Sequence, residues 1–173
     1  MEINQQIEKW FIEYSDDIYN YLIYYTGNGD VEDLVQEVFI KAMKGIHKFK
    51  GISTPKTWLF TIARNTAIDN LRKRRGIKWA PYYTLELSPS FEITPDEKLQ
   101  SIEEIQELYT AIGYLKQNYR EIIILRGIKG FSPSETAEIL KWSETRVNVT
   151  LHRALKSLKK LIPNMGEGGN ISE

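Results

Sequence analysis

Eight side chains near the C-terminus have the types and spacing to read a nucleic acid. Ser143, Thr145, Arg146, Asn148 and Val149 bring hydroxyl, guanidinium, amide and methyl groups to the start of one helical stretch, the chemistry that recognises base edges in a major groove. His152, Arg153 and Lys156 follow on the same side, where cations suit phosphates. Opposite them, Val147, Leu151, Ala154, Leu155, Leu158 and Ile162 form an apolar stripe at helical period. A solvated helix surface explains Lys159 and Lys160, but not the segment in front. There Ser132-Pro133-Ser134-Glu135 is a helix start: serine caps, proline takes the first helical position, and glutamate three residues after the cap closes a capping box. The short helix carries Ala137, Ile139 and Leu140, breaks at Lys141-Trp142, and Ser143 caps the next. Two helices joined by a tight turn make a helix-turn-helix, and duplex DNA is its expected ligand.

A second candidate surface lies on a helix expected from Thr57 to Arg75. Trp58, Thr61, Asn65, Asp69 and Arg72 fall on one line along it, and it ends in Arg72-Lys73-Arg74-Arg75 with Gly76 as a stop. An aromatic, an amide and basic groups in that order suit a nucleic-acid strand, by stacking and by phosphate neutralisation. The competing reading makes Trp58 part of the core and pairs Asp69 with Lys73. A third surface is more ambiguous. The helix carrying Val31, Leu34, Val35, Val38, Phe39, Ala42, Met43 and Ile46 turns Asp33, Gln36, Glu37 and Lys41 outward. Acidic groups in a first helical turn are expected from the helix dipole alone, so these residues by themselves define no site.

The composition narrows the class. With no cysteine and two histidines in 173 residues, the sequence predicts neither a disulfide framework nor a metal site, and no cofactor. No carboxylate pair, nucleophile with a base, or phosphate-cradling glycine loop stands at usable spacing, so an enzyme is not expected. No apolar run approaches the roughly 20 residues that span a bilayer, and Met1-Glu2-Ile3-Asn4 does not begin a signal peptide; a soluble cytoplasmic protein without membrane insertion is expected. The net charge of zero conceals large blocks: −8 over residues 1–40, +10 over 41–80, −6 over 81–113 and +4 over 114–173. Two basic surfaces separated by acidic ones fit a chain that touches nucleic acid twice and another partner between.

The elements that must position these groups are all helical. Apolar residues at spacings of three and four, with turn signals between, predict two small helical domains: residues 1–76, and a four-helix helix-turn-helix domain over 102–162. The first helix carries Ile7, Trp10, Phe11, Tyr14, Ile18, Tyr21, Leu22 and Tyr25, and Asp30 is expected to cap the second. Between the domains, residues 77–101 hold Pro81, Pro89 and Pro95 without helical period and read as a linker; residues 163–173 read as a disordered tail.

With both halves laid out, the sequence resembles the extracytoplasmic-function group of alternative sigma factors of bacterial RNA polymerase. Three stretches carry the resemblance: Asp33 to Phe39; Trp58 to Asn65 continuing to Asp69 and Arg72-Lys73; and Phe131 to Leu155. It implies a sigma factor with no chemistry of its own. Asp33, Gln36, Glu37 and Lys41 would dock on the clamp helices of the largest core-polymerase subunit, with the flap as a further contact. Lys56, Trp58, Thr61, Arg64, Asn65, Arg72, Lys73 and Arg75 would recognise and melt the −10 element, and the eight residues from Ser143 to Lys156 would read the −35 element as duplex. It also implies an anti-sigma partner, often membrane-anchored. The rival is a stand-alone helix-turn-helix regulator. One departure from the family stands out: Lys141 occupies the turn position usually held by glycine, at a cost of about 1 to 2 kcal/mol if its backbone is left-handed.

Overall fold

The computed structural model describes residues 2–27, 30–73 and 98–162, and all regular structure within them is helical. Helix α1 (Ile3–Thr26) buries Ile7, Trp10, Ile18, Tyr21, Leu22 and Tyr25, and it ends where Gly27 turns left-handed at φ 68° and donates its N–H to the Ile23 carbonyl. Helix α2 (Glu32–Gly45) buries Leu34, Val35, Val38, Phe39 and Ala42, then tightens into a 3₁₀ turn over Ile46–Lys48. Val31, rather than the expected Asp30, stands immediately before its first residue, and at 1% exposed this apolar side chain anchors the helix entry. Helix α3 (Pro55–Lys73) starts with proline at its first position and Thr57 N–H donating to Thr54 Oγ1 at 3.2 Å. These three helices pack on one another pairwise.

Helix α4 (Lys98–Tyr114) opens the second unit, so residues 98–101, expected in the linker, are helical; nothing after Pro95 breaks the period. The remainder of that linker, the disordered-tail assignment and Arg75 lie outside the described residues. Helix α5 (Gln117–Ile122) runs on into a π-helical turn over Ile123–Ile128, closed by Lys129 N–H to the Ile124 carbonyl at 2.8 Å. Helices α6 (Pro133–Leu140) and α7 (Glu144–Leu161) complete the unit.

The described residues of the two units also meet one another. Their buried residues form one continuous apolar cluster, with α3 packed on α6. Phe60 on α3, fully buried, meets the Phe131 ring at 4.9 Å, and Tyr24 on α1 stacks on Tyr109 of α4 at 5.3 Å with the rings 10° from parallel. Such aromatic pairs contribute roughly 0.5–1.5 kcal/mol each beyond the area they bury.

Candidate nucleic-acid interface

The local signals of the helix-turn-helix are realised in full. Ser132 Oγ accepts the Glu135 N–H at 3.1 Å while Glu135 Oε2 accepts the Ser132 N–H at 2.8 Å, so two donors at the start of α6 are satisfied reciprocally. Lys141 ends α6 in the left-handed region, φ 57° and ψ 42°. Ser143 Oγ then accepts the Arg146 N–H at 3.1 Å and starts α7. Because a side chain in the left-handed region is strained whereas glycine is not, Lys141→Gly is expected to raise the unfolding free energy by roughly 0.5–1 kcal/mol after the entropy of the added glycine is subtracted. Urea denaturation checks this, and a loss of stability would show the turn to be relaxed with lysine.

Caps and turn together set the face that α7 presents. Val147, Ala154 and Leu158 are buried, while Ser143, Thr145, Arg146, Asn148, Val149, His152, Arg153 and Lys156 are all exposed. Leu155, assigned from its period to the buried stripe, is 40% exposed, because the neighbouring helices cover only the centre of that stripe. Among the described residues no ion pair consumes any cation of this face. It is free for a polyanion.

The α3 surface is different. Arg72 and Lys73 are exposed and Asn65 is half-buried, but the other candidates are engaged within the protein. Trp58 joins an aromatic cluster, 5.2 Å from the Phe49 ring and 6.0 Å from that of Trp10. Thr61 donates its hydroxyl to the Thr57 carbonyl at 3.0 Å. Lys56 pairs with Asp17 of α1 at 3.0 Å and sits 5.7 Å above the Phe131 ring. Arg64 Nε donates to Glu121 Oε1 of α5 at 2.8 Å, both side chains largely buried.

Electrostatics follow the packing. Burial disfavours the charged Arg64, but the hydrogen bond and charge of Glu121 outweigh it and raise the guanidinium above its ordinary value. The adjacent Arg120 is pulled down by burial to about 10, against the attraction of the same carboxylate. Burial pushes the Asp17 carboxyl up, yet Lys56 and Lys129 together hold it below the ordinary value. Lys129, which reaches Asp17 at 3.3 Å, is more deeply buried and is lowered by that burial despite its partner. Glu121 and Asp17, unremarked in the sequence, therefore clasp two residues expected to meet DNA.

On α2, Asp33 and Gln36 are exposed and Glu37 is half-exposed. Lys41 is half-exposed and engaged within the protein, bonded to Glu37 at 2.8 Å and to Thr66 of α3 at 3.2 Å. Ile40, 47% exposed and one turn beyond Gln36, adds an apolar centre that the acidic pattern obscured. Its signal was visible as an unpaired apolar residue on a polar face. Among the described residues no helix is long and apolar enough to cross a membrane, and no group of three or more His, Cys, Asp or Glu could hold a metal.

Residues 10–77 match the Sigma-70 region 2 family and residues 105–158 match Sigma-70, region 4. The ECF RNA polymerase sigma factor SigX of Bacillus subtilis is 39% identical over 152 residues, covering 85% of this chain and 78% of the relative. The RNA polymerase sigma factor YlaC of the same organism is 36% identical, covering 92% of this chain and 94% of its own. Among solved structures, the sigma factor RpoE in complex with the anti-sigma factor NepR from Bartonella quintana superposes with a TM-score of 0.75 at 25% identity, over 92% of this chain and 98% of that one. The fold is also that of CnrH in complex with the cytosolic domain of CnrY, TM-score 0.67 at 22% identity, over 92% of this chain and 89% of the other.

Proposed function

The chain belongs to the extracytoplasmic-function sigma factors of bacterial RNA polymerase, and from that membership we propose which of its surfaces carry out the three contacts such a factor makes. As a sigma factor it binds core polymerase and directs promoter-specific initiation. Helix α7 reads the −35 element as duplex, its N-terminal end to the base edges and its lysines to phosphates. Helix α3, through Asn65, Arg72 and Lys73 and through Lys56 and Arg64 once released, recognises and opens the −10 element. Asp33, Gln36 and Glu37 on α2 meet the clamp helices of the largest polymerase subunit, around the apolar centre at Ile40. Catalysis resides in the polymerase, the protein works in the cytoplasm beside it, and an anti-sigma protein holds it in check, as NepR is bound to RpoE.

The observation that carries this reading is the α7 face: eight candidate residues, all exposed, on a helix whose start is fixed by the left-handed Lys141 and the Ser143 cap that follows it. The stand-alone regulator is not favoured, because the region 2 match gives the N-terminal helices a family role of their own. Run-off transcription with core polymerase on a broad promoter library is the test. Promoter-dependent transcripts that require this chain are expected, and their absence would defeat the reading.

The α2 assignment has its own test. Glu37→Lys reverses a charge on the proposed polymerase surface and sets it against Lys41 one turn on. Affinity for core polymerase is expected to fall at least about tenfold, some 1.4 kcal/mol, while the unfolding free energy changes by no more than about 0.5 kcal/mol. Binding titration alongside a thermal melt checks both, and unchanged affinity would return α2 to an ordinary solvated face.

A further inference from the structure

Trp142 entered the expectations above only as part of the break between two helices, yet it stands beside the proposed −35 reader with its backbone bonded and its side chain against the core. Its backbone N–H donates to the Ala137 carbonyl at 3.0 Å, and that of Lys141 to Glu138 at 3.4 Å, the paired bonds that close a helix on a left-handed residue. Its indole is half-buried and packs on the core. One helical turn further, the guanidinium carbon of Arg146 lies 4.0 Å from the centre of that ring. The Arg146 backbone is fixed as well, by its N–H bond to Ser143 Oγ. Among the described residues Arg146 pairs with no carboxylate, so the indole is its partner.

We propose that Trp142 is a positioning residue, holding the Arg146 guanidinium as a preset reader of a guanine edge in the upstream promoter element. The proposal rests on the reading of α7 as the −35 reader. A guanidinium lying on an aromatic face is held through its π surface, which leaves the in-plane N–H groups unspent. Those groups are the fork that donates to guanine O6 and N7 together. Arg146 stands in the first turn of α7, the part of a recognition helix that meets base edges. A free arginine there would have to be ordered on binding and could equally take a phosphate; one already stacked has lost that freedom beforehand and offers its fork in a restricted set of directions. The device requires an aromatic at the last turn residue and an arginine four residues on, straddling the cap.

The test is transcription by core polymerase and the full-length protein from a library randomised across the upstream element, with transcripts sequenced. Wild type is expected to prefer G·C at one position at least tenfold, and Arg146→Ala and Arg146→Lys to abolish that preference while leaving the other positions intact. Trp142→Ala should reduce it several-fold at that position only, Trp142→Phe should retain most of it, and Trp142→Ala with Arg146→Ala should be no worse than Arg146→Ala alone. Full preference in Trp142→Ala, with Arg146→Ala defective, would overturn the positioning role and leave the reading of α7 standing. An Arg146→Ala profile identical to wild type would overturn it as well, as would equal losses at every position in both Trp142→Ala and Trp142→Phe, the mark of general misfolding. No promoter-dependent transcript from wild type would instead overturn the functional reading itself.

Discussion

Glu121→Ala is expected to lower the unfolding free energy by about 3–5 kcal/mol, the usual cost of removing one partner from a buried ion pair. Side-chain exposure is 5% for Glu121 and 15% for Arg64, so the stranded guanidinium cannot recover its lost partner from solvent without moving. Arg120, itself buried, loses the attraction of the same carboxylate. Glu121→Gln, which keeps an acceptor but not the charge, should fall between wild type and alanine. Chemical denaturation measures all three. A loss below about 1 kcal/mol for Glu121→Ala would mean that Arg64 swings out to water at little cost, as an exposed pair would allow.

Phe60→Ala should be comparably damaging. The ring is fully buried, 5.1 Å from Tyr21 within its own unit and 4.9 Å from Phe131 in the other, so its removal opens a cavity between the two. Large-to-small changes of this kind cost about 3–5 kcal/mol, a large part of the roughly 5–15 kcal/mol that a domain has in total. Urea denaturation followed by tryptophan fluorescence and by far-ultraviolet circular dichroism should show one transition in wild type, shifted to lower denaturant in the variant. A change under about 1.5 kcal/mol would indicate that neighbouring helices collapse into the space.

What could be read from the sequence was local. The capping box at Ser132, the cap at Ser143, the left-handed Lys141 and the exposed face of α7 each depend on residues within about one helical turn of one another, and each is present. The three helices of the first unit were likewise legible from their period. What escaped depends on distant partners: Arg64 and Glu121 are 57 residues apart, Lys129 and Asp17 are 112 apart. No periodicity announces such pairs, so Arg64 and Lys56 read as open basic groups. Leu155 was misplaced for a related reason, since a helical wheel gives the direction of a side chain but not how far its neighbours reach. The start of α2 falls one residue past Asp30, at Val31, whose burial as an apolar anchor carries no cap signal in the sequence.

Arg64 cannot hold Glu121 and a promoter phosphate at once. If it neutralises DNA as proposed, the carboxylate and the nucleic acid are rivals for a single guanidinium, and rivalry of this sort is thermodynamically reciprocal. Whatever draws α5 and its Glu121 away from α3 must tighten DNA on α3, and DNA on α3 must ease α5 away by the same factor. Each 1.4 kcal/mol by which the packed arrangement is preferred lowers the apparent affinity of α3 about tenfold. A surface that merely kept α2 and α7 at arm's length would therefore act as an activator of DNA binding without touching DNA, and Glu121 would set the threshold it has to overcome.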